Sequence, residues 1–153
     1  MQKAINRAFK SYKKETDVQK SDTRKHQTTM THILVIDDDP EITSLLKTAL
    51  SNDTTHVQTA HDGRAGLRLL REYRFDLVIT DIIMPKTDGI EVIMEINSMR
   101  PRPRVIAMTG GTDRISRDYL TNLVEVMNVQ GVLNKPFSIN ELLITVFPHR
   151  GGI

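Results

Sequence analysis

Three carboxylates in a row, Asp37, Asp38 and Asp39, follow directly on the apolar run ILVI (33–36). Like charges at that spacing repel one another, so keeping them ionised calls for a cation among them. Three more polar residues stand in the same kind of place. Asp81 follows FDLVIT (75–80), Thr109 follows RVIAM (104–108) and Lys135 follows GVLN (131–134). Clustered carboxylates with no His or Cys beside them suit a hard divalent cation. Mg2+ fits best, because it keeps waters that a phosphate can replace. A lysine adds a compact positive charge for a phosphoryl oxygen. A threonine hydroxyl adds a hydrogen bond. Metal, ammonium and hydroxyl around a carboxylate describe phosphoryl transfer with a carboxylate as nucleophile.

Each residue alone has a plainer explanation. The acidic triplet starts a helix, Thr109 belongs to a loop, and Lys135 is a solvated surface charge. What argues for chemistry is their shared position at the ends of apolar runs, so the elements that carry them decide the matter.

From residue 31 onward the apolar periods alternate. ILVI (33–36) reads as a strand buried on both faces. Asp39 then stands at a helix N-cap, with Pro40 at the first helical position and Glu41 in the first turn. Ile42, Leu45, Leu46 and Ala49 form that helix's apolar stripe. THVQTA (55–60) alternates like a strand. Residues 62–73 read as a helix with Ala65, Leu69 and Leu70 inward. FDLVIT is the third strand. Residues 88–99 form a helix with Ile90, Ile93, Met94 and Ile96 as apolar positions. RVIAM is the fourth strand, residues 113–127 a helix, and GVLN the last strand. Ser138 caps a final helix that runs to about Phe147, before Pro148.

Five strands and five helices in alternation imply an α/β fold, a parallel sheet with helices on both faces and right-handed crossovers. Such a sheet carries its functional groups at the carboxyl ends of the strands, where strand order reverses. In a 2-1-3-4-5 order the first and third strands are neighbours, and Asp37, Asp38 and Asp81 form one acidic pocket.

Length and charge divide the chain. Its 153 residues, 39% apolar and without Cys, suit one domain and exclude disulfides and thiolate metal sites. No apolar run approaches the roughly 18 residues of a membrane span, and no signal peptide is visible. The expectation is a cytoplasmic protein. Residues 1–30 hold eight Lys and Arg against three acids, a net +5, while the remaining 123 hold thirteen basic and sixteen acidic groups, a net −3. Residues 1–29 therefore read as a basic extension, disordered or partly helical, since Ile5, Phe9 and Tyr12 recur at helical spacing. Residues 30–148 read as the folded domain and 149–153 as a short tail. The RPRPR stretch (100–104) reads as an extended surface connection, Gly110-Gly111 as a flexible loop, and the methionines as core fillers.

ILVIDDDP, DLVITDIIMPKTDGIEV, VIAMTG and GVLNKPFS together resemble the receiver domains of two-component response regulators. The resemblance runs from about Met30 to Phe147. It implies a flavodoxin-like (βα)5 fold with strand order 2-1-3-4-5. It implies that Asp81 accepts a phosphoryl group from a sensor histidine kinase or phosphotransfer protein. By the same resemblance Asp38 binds Mg2+ directly, Asp37 helps through water, and the backbone carbonyl of Ile83 is a further ligand. Thr109 follows the phosphoryl group, Lys135 pairs with it, and the Lys135-Pro136 bond is cis. Asp39 is left to helix capping. The expected function is a single-domain response regulator that relays the signal to a partner protein and catalyses only its own phosphorylation and dephosphorylation.

The sequence departs from that family's pattern in three places. Gly110 replaces the usual small residue such as Ala, Val132 replaces a common Tyr or Phe, and the 109–135 segment is several residues longer. Readout through residues 110–130 is expected in place of an aromatic rotation. Ile83 and Gly111, two beyond Asp81 and Thr109, offer no side-chain hydrogen bond to a hydrolytic water, so a long-lived phosphoryl group is expected. Two other readings fare worse. A haloacid dehalogenase-type phosphohydrolase wants a second Asp where Ile83 stands. A nucleic-acid-binding protein acting through the basic arm wants a helix-turn-helix or an aromatic-basic pattern that the arm lacks.

Overall fold

A computed structural model of the chain describes residues 29–85, 89–110, 116, 122 and 124–148. Five parallel strands form one sheet: β1 (Thr31–Ile36), β2 (Thr55–Ala60), β3 (Leu77–Asp81), β4 (Arg104–Thr109) and β5 (Gly131–Asn134). Their order is β2-β1-β3-β4-β5, as expected. Between and after them run α1 (Pro40–Leu50), α2 (Gly63–Glu72), α3 (Gly89–Asn97) and α4 (Ile139–Val146). Of the helix expected over 113–127, Ser116, Asn122 and 124–127 are described: Asn122, Val124, Glu125 and Val126 are helical, while Ser116 and Met127 are not. The basic extension through residue 28, Gly111 and the tail from 149 lie outside the described residues, as does most of the 110–130 segment.

The central strand shows why the sheet is covered on both sides. Ile33, Leu34, Val35 and Ile36 are all fully buried, although alternate side chains point to opposite faces. Ile33 and Val35 pack with Leu46, Leu50, Leu142 and Val146 of α1 and α4. Leu34 and Ile36 pack with Leu67, Leu70, Ile93 and Ile96 of α2 and α3. Each such side chain contributes about 1.5–3 kcal/mol on burial, and a one-residue slip of β1 would exchange the two sets.

The helix ends agree with the sequence signals. Asp39 caps α1 through the Glu41 amide at 2.8 Å, with Pro40 in the first turn. Asp62 caps α2 through the Ala65 amide at 2.7 Å. Ser138 and Glu141 form a reciprocal capping box on α4, and Phe147 ends it.

Two helices bury glycines that the expected apolar stripes left out, and one expected member, Met94, faces outward. In α2 the buried residues are Gly63, Gly66, Leu67 and Leu70, while Ala65 and Leu69 are only half-buried. In α3 they are Gly89, Val92, Ile93 and Ile96, and Met94 is 57% exposed. Both sets follow i, i+3, i+4, i+7 spacing with a glycine first. Gly66 lies against Ile36 of β1 and Gly89 against the Asp81 carbonyl, so these two glycines let their helices lie close to the sheet. Met94 and Met30 are exposed and not core fillers, whereas Met84 and Met108 are buried.

Candidate functional site

The backbone ladder brings the strand ends level. Ile36 pairs with Thr80, Asp81 with Met108, and Thr109 with Asn134. The residue after each end is still held by the sheet. The Asp37 amide donates to the Ala60 carbonyl at 3.1 Å, and the Ile82 amide donates to the Met108 carbonyl at 3.0 Å. Asp37 and Asp81 therefore stand side by side on a rigid edge.

Lys135 joins them. Its Nζ donates to Asp37 Oδ2 at 2.5 Å and to Asp81 Oδ2 at 2.9 Å. The second oxygen of each carboxylate takes a backbone amide: Asp39 N–H to Asp37 Oδ1 at 2.9 Å, and Ile83 N–H to Asp81 Oδ1 at 3.1 Å. Asp37 is fully buried, Asp81 nearly so, and Asp38 is exposed at the mouth. Carboxylate oxygens of Asp37, Asp38 and Asp81 lie within 4.8 Å of one another. The acidic pocket read from the sequence is present.

Its electrostatics are unbalanced. Burial pushes the Asp37 carboxyl above its usual range. The hydrogen bonds from Lys135 and the Asp39 amide oppose that rise without cancelling it, and the Asp81 charge adds to it. For Lys135, burial pulls downward, but hydrogen bonds to Asp37 and Asp81 and their charges outweigh it, so its ammonium is held above the usual range. One ammonium is shared by two buried carboxylates, with a third at the mouth. With one ammonium for three carboxylates, the donor set calls for a second cation. Three carboxylates without His or Cys fit Mg2+.

Thr109 is placed differently. It is buried at the end of β4, and its hydroxyl donates to Asn134 Oδ1 at 2.7 Å. Its carbonyl accepts the Lys135 amide at 2.6 Å. The structure thus brings Asp37, Asp38, Asp81 and Lys135 together, and it ties Thr109 to the next strand. Asn134 was not singled out from the sequence. The signal lay in register, because strands that end level place their last side chains next to each other.

Two glycines fix the approach of the flanking loops. A Cβ on Gly89 would lie 2.0 Å from the Asp81 carbonyl oxygen, and a Cβ on Gly110 would lie 2.4 Å from Lys135 Cβ. The departure from Ala at position 110 therefore goes with a close passage of the chain past Lys135. The Lys135-Pro136 bond is cis, as expected, and so is Arg100-Pro101, which was not anticipated. Val132 is half-buried and packs against the α2/α3 side of the core. Ile83 is 49% exposed.

Comparison with known proteins agrees with this geometry. The response regulator receiver domain family matches residues 33–147. The transcriptional regulatory protein CpxR of Klebsiella pneumoniae is 36% identical over 117 residues, which is 76% of this chain and 48% of that protein. The chain spans about half or less of the length of the curated relatives it matches. Among solved structures, the Vibrio cholerae chemotaxis response regulator CheY4 superposes with a TM-score of 0.66 at 28% identity, covering 77% of this chain and 97% of that one. The Thermotoga maritima response regulator TrrA, solved in complex with Mg(2+)-BeF, superposes with a TM-score of 0.64 at 32% identity, covering 76% and 96%. No helix among the described residues is long and apolar enough to cross a membrane.

Proposed function

The chain belongs to the receiver-domain family of response regulators, and on that premise we propose that Asp81 is its phospho-acceptor. The observation that carries this reading is the Lys135 ammonium bridging Asp37 and Asp81 beside a third carboxylate. An Asp81 oxygen attacks the phosphorus of a phosphohistidine on a sensor kinase or phosphotransfer protein. An O–P bond forms, the N–P bond breaks, and the released imidazole takes up a proton. Lys135, already within hydrogen-bond reach of Asp81, then faces the new phosphoryl oxygens. Asp37 keeps Lys135 in place through the step. Asp38 and Asp81, with Asp37 through water and the Ile83 carbonyl, are the residues that would hold Mg2+. When bound, the ion offsets the negative charge that gathers as an anionic phosphoryl group meets a carboxylate.

The protein so read catalyses only its own phosphorylation and dephosphorylation, and it passes the signal to a partner protein. Ile83 at the position where a haloacid dehalogenase-type site needs a second acid gives that alternative no support. Incubation with acetyl phosphate tests the reading. Wild type should acquire one alkali-labile, hydroxylamine-labile phosphoryl group, and Asp81→Asn none. Equal labelling of both would refute it. Sustained release of phosphate from p-nitrophenyl phosphate would favour the hydrolase.

A further inference from the structure

We propose that the end of the sheet opposite the acidic pocket holds a second ligand site, one that takes a nucleotide carrying at least two phosphates. A cavity of about 590 Å3 opens beside the first residues of β3 and β4. Arg71, Arg74, Arg100, Arg102 and Arg104 line it, together with Tyr73. The RPRPR stretch is a largely exposed connection, as expected, and it forms one side of this cleft, with Arg74 donating to the Arg100 carbonyl.

Five arginines and two acidic residues, Glu72 and Asp76, line it. Neither carboxylate ion-pairs with an arginine, and the ion pairs among the described residues are those of Lys135. The arginines are held instead by neutral acceptors. Arg102 donates to Asn97 Oδ1 at 2.8 Å, to the Asn128 carbonyl at 2.6 Å and to the Pro103 carbonyl at 3.1 Å. Arg74 donates to the Arg100 carbonyl at 3.2 Å, and Arg104 to the Val146 carbonyl at 3.1 Å. These bonds fix the side chains without neutralising their charge. Burial, and then the neighbouring Arg100, pull Arg102 below its usual range, as expected where cations crowd together. Each guanidinium has five N–H donors, so Arg71, Arg74 and Arg104 keep donors for an anion. Their fork geometry matches phosphate oxygens.

The remaining features specify more than phosphate. Tyr73 is 51% exposed, and a tyrosine ring can stack on a base. Tyr73, Arg74 and Phe75 also wall an adjoining cavity of about 480 Å3, which His32, His56 and Gln58 line as well. A ligand with a charged end and an aromatic end would place its phosphates among the arginines and its base beside Tyr73. Clefts of this size fall in the roughly 300–1,000 Å3 range of small-molecule sites, whereas a duplex needs an extended face.

Calorimetric titration of the full chain in EDTA, which keeps the acidic pocket out of the measurement, tests this. ADP should bind, and adenosine and pyrophosphate should each bind at least about tenfold more weakly. Arg71→Gln with Arg74→Gln, and separately Tyr73→Ala, should weaken ADP by a similar factor. Lys47→Gln, an exposed cation on α1, should leave it unchanged. ADP binding should also weaken as salt rises. The proposal fails if ADP does not bind at millimolar concentration or if the arginine pair does not matter. It fails too if pyrophosphate matches ADP, or if a short DNA duplex binds more tightly than ADP at the same salt. The outcome is independent of Asp81.

Discussion

The Thr109 hydroxyl donates to the Asn134 side chain at 2.7 Å, so the last residues of β4 and β5 are tied to each other and not to Asp81. For Thr109 to follow a phosphoryl group on Asp81, that bond must break. Asn134→Ala removes the competitor and leaves a buried hydroxyl in need of an acceptor. Affinity for the phosphate mimic beryllofluoride should therefore rise about twofold to tenfold, the worth of one hydrogen bond of roughly 0.5–1.5 kcal/mol. Titration followed by the protein's melting temperature reads it. Unchanged or weaker binding would show that the Asn134 contact does not restrain Thr109.

Mg2+ should stabilise the unphosphorylated protein, because it relieves repulsion among Asp37, Asp38 and Asp81. Binding to the folded state alone adds about 2.7 kcal/mol at a hundredfold excess over Kd. Asp38→Ala, at the mouth of the pocket, should reduce the Mg2+-dependent rise in melting temperature. Wild type without any rise at millimolar Mg2+ would mean that the pocket is not a metal site.

Asp37 sets a pH dependence. Its carboxyl is raised above the ordinary 3.8, chiefly by burial, so the folded state holds this proton more tightly than the unfolded chain does. Stability from that proton is full below 3.8 and is lost as pH rises through the raised value. Asp37→Asn has no such loss. Urea melts in EDTA should show the variant gaining on wild type as pH goes from acid to neutral. A difference between the two that does not change with pH, or wild type gaining on the variant from acid to neutral, would contradict the burial cost.

Ile83 stands two residues beyond Asp81, about half exposed and with no side-chain hydrogen bond to offer a hydrolytic water. Ile83→Asn should speed loss of the phosphoryl group by about twofold to tenfold, on the scale of one hydrogen bond. A decay time course of the isolated phosphoprotein is the measurement. No acceleration would mean that another group limits hydrolysis.

The strand ends were legible in the sequence because four apolar runs each stop at a polar residue and parallel pairing brings those stops level. That reasoning found Asp37, Asp38, Asp81 and Lys135. It did not find Asn134, whose part depends on which atom Thr109 bonds across the β4–β5 pair, a choice that strand periodicity does not carry. The glycines on the buried faces of α2 and α3 were missed, and Met94 was misplaced, for a related reason. Gly63, Gly66 and Gly89 look like breaks in an apolar pattern, yet all three are buried, and a Cβ on Gly66 or Gly89 would strike Ile36 or the Asp81 carbonyl. Close approach of helix to sheet is a property of the packed pair and has no marker in local hydropathy.

The most direct measurement is to locate the modified residue. Wild type treated with acetyl phosphate and then borohydride should yield, on peptide mass mapping, homoserine at position 81 and aspartate at 37 and 38. Reduction only at an aspartate other than Asp81, or at none, would contradict the assignment of Asp81 as the acceptor.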